Sequence, residues 1–242
     1  MPHMPKWMGN VVETVFKRFI HDVTVSDVEY IHANLKKVTF TGDFSTVDFK
    51  LTQAVAFRVD DIHYRNYTPN FFDSEAGICS VCFYLHGNGP GSTFASGLQV
   101  GDKLKMIGPR GKSLYEAESK YHFFFGDETS LGLFNSLKNE IHANQQEYLG
   151  VLTLHPDLFD LPDKLDLMLD VVPKDTVMPY EHSAAYLNGL HGKLWDVWRA
   201  STFYLTGNAN AIKGVRKVLL TKGVPPRNIR AQAFWAEGRE GL

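Results

Sequence analysis

The sequence predicts two domains in series, a small antiparallel β-barrel followed by an α/β domain on a parallel sheet. Three observations carry this expectation. From Val23 to Gly111, short apolar runs alternate with polar residues at the two-residue period of strands with one buried face. From Tyr121 onward, short apolar runs alternate with stretches of helical period, which signals βαβ units. Between them, Tyr115 to Lys120 is polar and has neither period. The expected divisions are an N-terminal amphipathic helix over 1–22, the barrel over 23–117 and the α/β domain over 118–242.

At the N-terminus, Trp7, Val11, Val12, Val15, Phe16, Phe19 and Ile20 recur at helical spacing, with Glu13, Lys17 and Arg18 opposite. This predicts a helix over 7–20 that docks on the protein or meets a second copy. Its polar face has too few Lys and Arg for a membrane-surface helix. In the barrel, Val38 and Phe40, then Val47, Phe49 and Leu51, then Val55, Phe57 and Val59 mark strands. Turns are expected at Asn34, Gly42-Asp43 and Asp60-Asp61. Roughly six short strands and one inserted helix suggest a small closed barrel.

Ile62 to Thr68 reads as a further strand. Arg65 and Tyr67 then share a face, with Thr68 at the strand end. A fixed cation, a flat ring and a short hydroxyl come within reach of one ligand. The next strand, Ile78 to His86, ends in Gly87-Asn-Gly-Pro-Gly91, and Ser92 opens a short helical pattern. A glycine turn into a helix N-terminus exposes backbone N–H groups and a positive dipole end, which suits phosphate. Each piece alone reads equally as a strand edge or a plain turn. Together they point to a flavin or another nucleotide.

In the second half, Tyr121 to Phe125 is a strand ending in Gly126-Asp-Glu-Thr129, followed by a helix from about Ser130 to Ala143. Strands over Tyr148–Leu154 and Leu165–Val172, a helix over Glu181–Leu190 and a strand over Thr202–Thr206 come next. A helix over Ala209–Leu220 and a strand over Ile229–Trp235 close the pattern. Ligands of parallel sheets bind at the carboxyl ends of the strands. Gly126–Thr129 and Thr206-Gly207-Asn208 lie at such ends.

The chain has 242 residues, enough for two modest domains, and a formal charge of −2 that argues against a nucleic-acid partner. No apolar run reaches the ~20 residues of a membrane span, so no stable membrane insertion is expected. Met1 to Trp7 holds two prolines and no leader pattern, which points to the cytoplasm. Cys79 and Cys82 are spaced Cys-x-x-Cys, yet three positions along a strand reverse the face, and no second Cys/His pair lies nearby. They read as two buried strand cysteines, and no metal site is expected.

Arg65-Asn-Tyr67-Thr68, Phe72-Asp73, Leu85-His86-Gly-Asn-Gly-Pro90, Gly101-Asp102-Lys-Leu and Gly108-Pro-Arg-Gly111 together resemble the siderophore-interacting protein family. Gly126-Asp-Glu-Thr129, Gly223-Val-Pro, Phe234-Trp235 and Gly238-Arg239 extend the resemblance to the C-terminus. The family comprises FAD-containing ferric-siderophore reductases of the ferredoxin-reductase superfamily. The resemblance implies a six-stranded FAD-binding barrel and a ferredoxin-reductase-like NAD(P)-binding domain. It implies FAD as cofactor, NADPH or NADH as electron donor and a ferric siderophore as substrate. No catalytic acid or base is required, because the cofactor carries the chemistry.

By the same resemblance, Arg65 would neutralise the flavin-nucleotide phosphates, Tyr67 would lie against the isoalloxazine and Thr68 would hydrogen-bond near its reactive nitrogen. Phe83, Leu85 and His86 would border the ribityl chain and phosphates, while Gly91, Ser92 and Thr93 would cap the pyrophosphate. Gly126, Asp127, Glu128 and Thr129 would meet the nicotinamide dinucleotide, flanked by Gly207 and Asn208. Lys213, Arg216, Lys217, Lys222, Arg227, Arg230 and Arg239 read first as a solvated face. Lys213, Arg216, Arg230 and Arg239 are also candidates to attract an anionic ferric chelate. Trp235 is a candidate flavin shield or a core residue.

The sequence departs from the family pattern in four places. Asn70 stands where a second arginine is usual, Ser130-Leu-Gly-Leu133 replaces Ala-Leu-Pro-Ala, Leu154-His155 replaces a glutamate, and Asn208 replaces another. Two alternatives stay open: an NAD(P)H-flavin or quinone reductase, and a flavin- or siderophore-binding carrier or sensor.

Overall fold

A computed structural model describes residues 19–175 and 177–238. The helix expected over 7–20 therefore lies outside the described residues, except that Ile20 already belongs to the first strand. The chain separates into two compact units between Ser113 and Leu114.

The first unit is an antiparallel sheet of seven strands in the order β4-β3-β7-β1-β2-β6-β5. The strands are β1 (Ile20–His32), β2 (Leu35–Gly42), β3 (Ala54–Arg58), β4 (Tyr64–Tyr67), β5 (Phe71–Asp73), β6 (Ile78–Tyr84) and β7 (Lys103–Arg110). Only residues 68–70 join β4 to β5, although these are the two edges of the hydrogen-bonded order. A flat sheet would hold those edges about 29 Å apart, whereas the link reaches about 14 Å at most. The sheet therefore rolls up, and its inner face becomes the core. Val23, Val38, Phe40, Phe57, Val81 and Phe83 are among the buried side chains inside it. Helix α1 (Gly89–Gly97) adds Ala95 to the same core, and Leu98 just after it adds a further side chain. The strand count is seven because Phe71–Asp73 pairs with β6 as a short strand of its own.

Val47, Phe49 and Leu51 alternate as a strand would, but residues 43–53 form turns instead. The Val47 N–H donates to the Phe44 carbonyl, and Lys50 and Gln53 bond each other across a turn in which Thr52 has φ 74°. Phe49 is stacked on Phe72 at 4.5 Å between ring centroids. Ring packing, not a ladder, accounts for its place.

The second unit is a parallel sheet of five strands in the order β10-β9-β8-β11-β12. These are β8 (Tyr121–Gly126), β9 (Glu147–Leu154), β10 (Asp170–Pro173), β11 (Thr202–Asn208) and β12 (Ile229–Trp235). Its helices are α2 (Leu131–Ala143), α3 (Leu161–Lys164), α4 (Glu181–Gly189), α5 (Gly192–Trp198) and α6 (Ala209–Thr221). Phe123, Phe124 and Phe125 on β8 are all buried, which requires cover on both faces of the sheet. Phe124 stacks on Phe134 of α2 at 4.6 Å. Phe123 and Phe125 belong to the cluster that includes Ile212 and Val215 of α6.

The strand expected over Leu165–Val172 is shorter than its apolar run. Leu165 and Leu167 both donate to the Pro162 carbonyl, and Asp166 has φ 52°, so the chain turns there and the strand begins at Asp170. Helix α5 occupies a stretch for which no element was expected.

Candidate functional site

In the first unit, β4 pairs with β3 so that Arg65 faces Phe57 and Tyr67 faces Val55. Val55 and Phe57 are buried, so Arg65 and Tyr67 share the inner side of the rolled sheet. The Tyr67 ring meets Phe83 edge-on at 4.6 Å. Burial pushes its phenol pKa up, and the Arg65 charge only partly offsets this. One Arg65 N–H donates to the Tyr64 carbonyl at 3.0 Å, using one of the five donors of the guanidinium. Thr68 is half-buried at the strand end.

Helix α1 is seated against these residues. A Cβ added to Gly91 would stand 2.8 Å from the Tyr67 hydroxyl and 3.5 Å from Arg65 Cγ. The helix start, the ring and the cation are therefore in one place, with glycine allowing the approach. The helix begins earlier than Ser92, at Gly89, after an extended Asn88 and with Pro90 in the first turn. Proline suits that position because its missing N–H has no helical partner there. Gly87 and Gly89 have φ values of 80° and 79°, which side-chain-bearing residues rarely adopt.

Ser92 and Thr93 partly brace this turn themselves. Ser92 Oγ accepts from the Gly87 N–H at 3.0 Å, and the Thr93 hydroxyl donates to the Gly89 carbonyl at 3.2 Å. Phe83 is buried, while beyond the end of β6 Leu85 is half-buried and His86 is exposed. The Leu85 backbone exchanges bonds with Asn34, and the His86 ring lies 6.0 Å from that of Tyr84. Asn70 is 5% exposed, and its buried Oδ1 has no hydrogen-bond partner.

This arrangement fits a flavin nucleotide. A glycine-floored helix start, a guanidinium and an aromatic ring converge at Gly91, and first-turn N–H groups, which have no acceptor within the helix, favour phosphate.

In the second unit, the strand ends are knotted by Asp127, which is 3% exposed. Its Oδ1 accepts from the Thr129 N–H at 2.9 Å and the Thr129 hydroxyl at 2.5 Å. Its Oδ2 accepts from the Asn208 N–H at 2.9 Å and from Trp235 Nε1 at 2.7 Å. One carboxylate thus ties the carboxyl ends of β8, β11 and β12. Glu128 is also buried; it accepts from the His155 N–H at 3.1 Å and pairs with Lys174 at 2.7 Å. Lys174 lies over the Trp235 ring at 5.1 Å.

The two glycines here answer to the protein's own packing. A Cβ on Gly126 would meet Ser130 Oγ at 2.5 Å and Phe134 at 2.8 Å, and one on Gly207 would meet Asp127 Oδ2 at 2.4 Å. Gly207 also has φ 97°. Asn208 is the N-cap of α6, accepting from the Asn210 and Ala211 N–H groups at 2.8 and 3.0 Å.

The basic residues lie on several elements of the second unit. Lys213, Arg216 and Lys217 are exposed on α6, and Arg227 is exposed beyond it. Lys222 donates to the Leu190 carbonyl at 3.0 Å and lies over Trp195 at 4.5 Å. Arg230 pairs with Glu116 at 2.8 Å. Arg239 lies outside the described residues. Cys79 is buried inside the barrel and Cys82, half-buried, lies on the reverse face. Among the described residues, no three His, Cys, Asp or Glu side chains cluster as a metal site, and no helix is long and apolar enough to cross a membrane.

Sequence reasoning missed Lys36, Lys174 and the link from Trp235 to Asp127. Lys36 had a visible signal: it shares parity with the inward Val38 and Phe40.

Comparison with known proteins agrees with the family resemblance. Residues 50–113 match the family model of the siderophore-interacting FAD-binding domain. An NADPH-dependent ferric-chelate reductase of Escherichia coli K12 is 22% identical over 242 residues, covering 88% of this chain and 92% of that protein. A siderophore utilization protein from T. fusca superposes with a TM-score of 0.73 at 21% identity, covering 92% of this chain and 95% of the other. A ferredoxin-NADP+ reductase from Plasmodium falciparum gives 0.71 at 10% identity, covering 88% and 95%. The fold is thus ferredoxin-reductase-like.

Proposed function

We propose that this chain is a flavin oxidoreductase that takes electrons from NADPH, or NADH, and delivers them to ferric iron held by a siderophore in the cytoplasm. The observation that carries the reading is the approach of α1 to β4 at Gly91, inside the stretch that matches the siderophore-interacting FAD-binding domain. Arg65 would pair with phosphate through its planar fork. Tyr67 would offer its ring to the flavin and Thr68 its hydroxyl. The backbone at Gly91, Ser92 and Thr93 would receive the pyrophosphate, with Phe83, Leu85 and His86 beside the ribityl chain. Bound FAD supplies the exchange between a two-electron donor and a one-electron acceptor.

The carboxyl ends of β8 and β11 are the proposed place for the nicotinamide nucleotide. Backbone at Gly126, Gly207 and Asn208, and Thr129 at the start of the turn, would form its floor. Asp127 would act beneath it, since its carboxylate ties Thr129 to Asn208, and Glu128 would brace the neighbouring His155 backbone and Lys174. NADPH is the preferred donor, in keeping with the name of the E. coli relative. The proposed chelate attraction rests on Lys213 and Arg216 on α6, with Arg230 and Arg239 further along the chain. One electron converts Fe(III) to Fe(II), which hard oxygen donors hold less tightly, and the iron is released.

Steady-state NADPH oxidation tests this, with a ferric siderophore as acceptor and a ferrous-specific chelator as trap. Two Fe(II) should appear per NADPH consumed, and Arg65→Ala should abolish both signals. NADPH oxidation that is indifferent to the ferric siderophore, with no Fe(II) trapped, would overturn the reading.

A further inference from the structure

Lys36 lies on β2 in the row that Val38 and Phe40 continue, facing the inside of the rolled sheet, and is 1% exposed. A lysine in such a row has to bring its ammonium out of water, which is costly unless every N–H finds a partner. Here all three do. Nζ donates to the carbonyls of Ala95 at 2.9 Å, Ser96 at 3.0 Å and Leu98 at 2.7 Å, and lies 5.3 Å from the Tyr30 ring centroid. Three donated bonds need the three N–H groups of a charged ammonium.

The Ala95 and Ser96 carbonyls belong to the last turn of α1, the negative pole of its dipole, and the Leu98 carbonyl follows at its C-cap; no basic residue of the helix itself occupies that turn. At the other end, Gly91 rests on Tyr67 and Arg65. The two anchors are linked through the sheet: Lys36 pairs in register with Phe83, and Phe83 packs on Tyr67. The helix is about 13 Å long at 1.5 Å per residue, so holding both ends fixes where its first-turn N–H groups aim. A cation bound to the negative pole also leaves the positive pole uncompensated at the phosphate end.

We infer that Lys36 is a positioning residue for the nucleotide site, a buried cation that aims and polarises α1 toward the flavin's phosphates. The inference rests on the FAD reading given above. It predicts a selective defect: loss of Lys36 weakens ligands that carry phosphate and spares the isoalloxazine itself.

The test compares FAD with riboflavin, which has the ring and ribityl chain but no phosphate, by flavin-fluorescence titration of the full chain. In Lys36→Met, the FAD dissociation constant should rise about tenfold or more while that of riboflavin changes less than about twofold. If Lys36→Met does not fold, Lys36→Gln, which keeps two donors but no charge, carries the same comparison. Equal weakening of both ligands, or no change in either, would reduce Lys36 to a structural residue and overturn the inference. Failure of the underlying reading looks different: the parent protein would then bind FAD no better than riboflavin.

Discussion

Replacing Asp127 with asparagine should unfold the second unit at a much lower temperature without any ligand being present. The carboxylate accepts four bonds, two on each oxygen, from Thr129, Asn208 and Trp235. An amide retains one oxygen and so serves one pair of donors; its NH2 group then faces the other pair. Bonds to a charged acceptor contribute about 1.5–3 kcal/mol each, and the stranded donors stay buried, so the loss is about 3–5 kcal/mol. For a unit of this size, 1 kcal/mol shifts the midpoint by about 3–5 °C, giving a fall of roughly 10–20 °C. Thermal unfolding followed by circular dichroism and tryptophan fluorescence reads this directly. Trp235→Phe removes a single bond, and its effect should be largely absorbed in the double variant, since both act on one oxygen. A midpoint for Asp127→Asn within about 3 °C of the parent would refute the claim that this carboxylate ties the three strand ends.

Further expectations concern both units. Gly91→Val should lower FAD affinity at least about tenfold, because the added Cβ meets the Tyr67 hydroxyl and either that ring or the helix must shift; unchanged affinity would sink the cradle. His122 is fully buried, with Nε2 3.1 Å from Gln146 Oε1 and Nδ1 3.1 Å from the Tyr204 hydroxyl. Burial lowers its pKa, opposed in part by the Gln146 bond, so the folded state favours the neutral ring while the unfolded chain takes a proton near pH 6.5. Stability from this group is therefore full above about pH 6.5 and is lost as the pH falls below it toward the lowered folded value. Denaturant titrations from pH 8 to pH 5 should show this slope in the parent and a flatter one in His122→Gln. Burial also raises both thiols, Cys82 to about 12, so a thiol reagent at pH 8 should label the folded protein slowly and the unfolded protein at once. Rapid labelling of the folded protein would contradict that burial.

The period of the sequence was enough to read most strands and the order of the two sheets' patterns. It failed where alternation arises for another reason. Phe49 alternates with Val47 and Leu51 yet is placed by stacking on Phe72, and Leu167 is buried at the end of a turn rather than in a strand. Helix α5 has no buried side chain, so it leaves no clean apolar stripe to read. At the candidate site, the nearness of Arg65, Tyr67 and Gly91 was legible because strand parity and a glycine turn act over a few residues. The Asp127 knot was not, because two of its three partners, Asn208 and Trp235, lie 81 and 108 residues away along the chain. Asn208 looked like a lost charge and is a helix cap. Lys36 drew no reading as a polar residue, although its parity with Val38 and Phe40 puts it inside.

The most direct test of the central claim is an anaerobic visible spectrum of the FAD-loaded protein, recorded before and after NADPH and then after a ferric siderophore. The account predicts a flavin spectrum that bleaches with NADPH and returns when the ferric siderophore is added. A bound flavin that NADPH and NADH both leave oxidised would favour a carrier or sensor, and a protein that takes up no FAD would contradict the site built on Arg65, Tyr67 and Gly91.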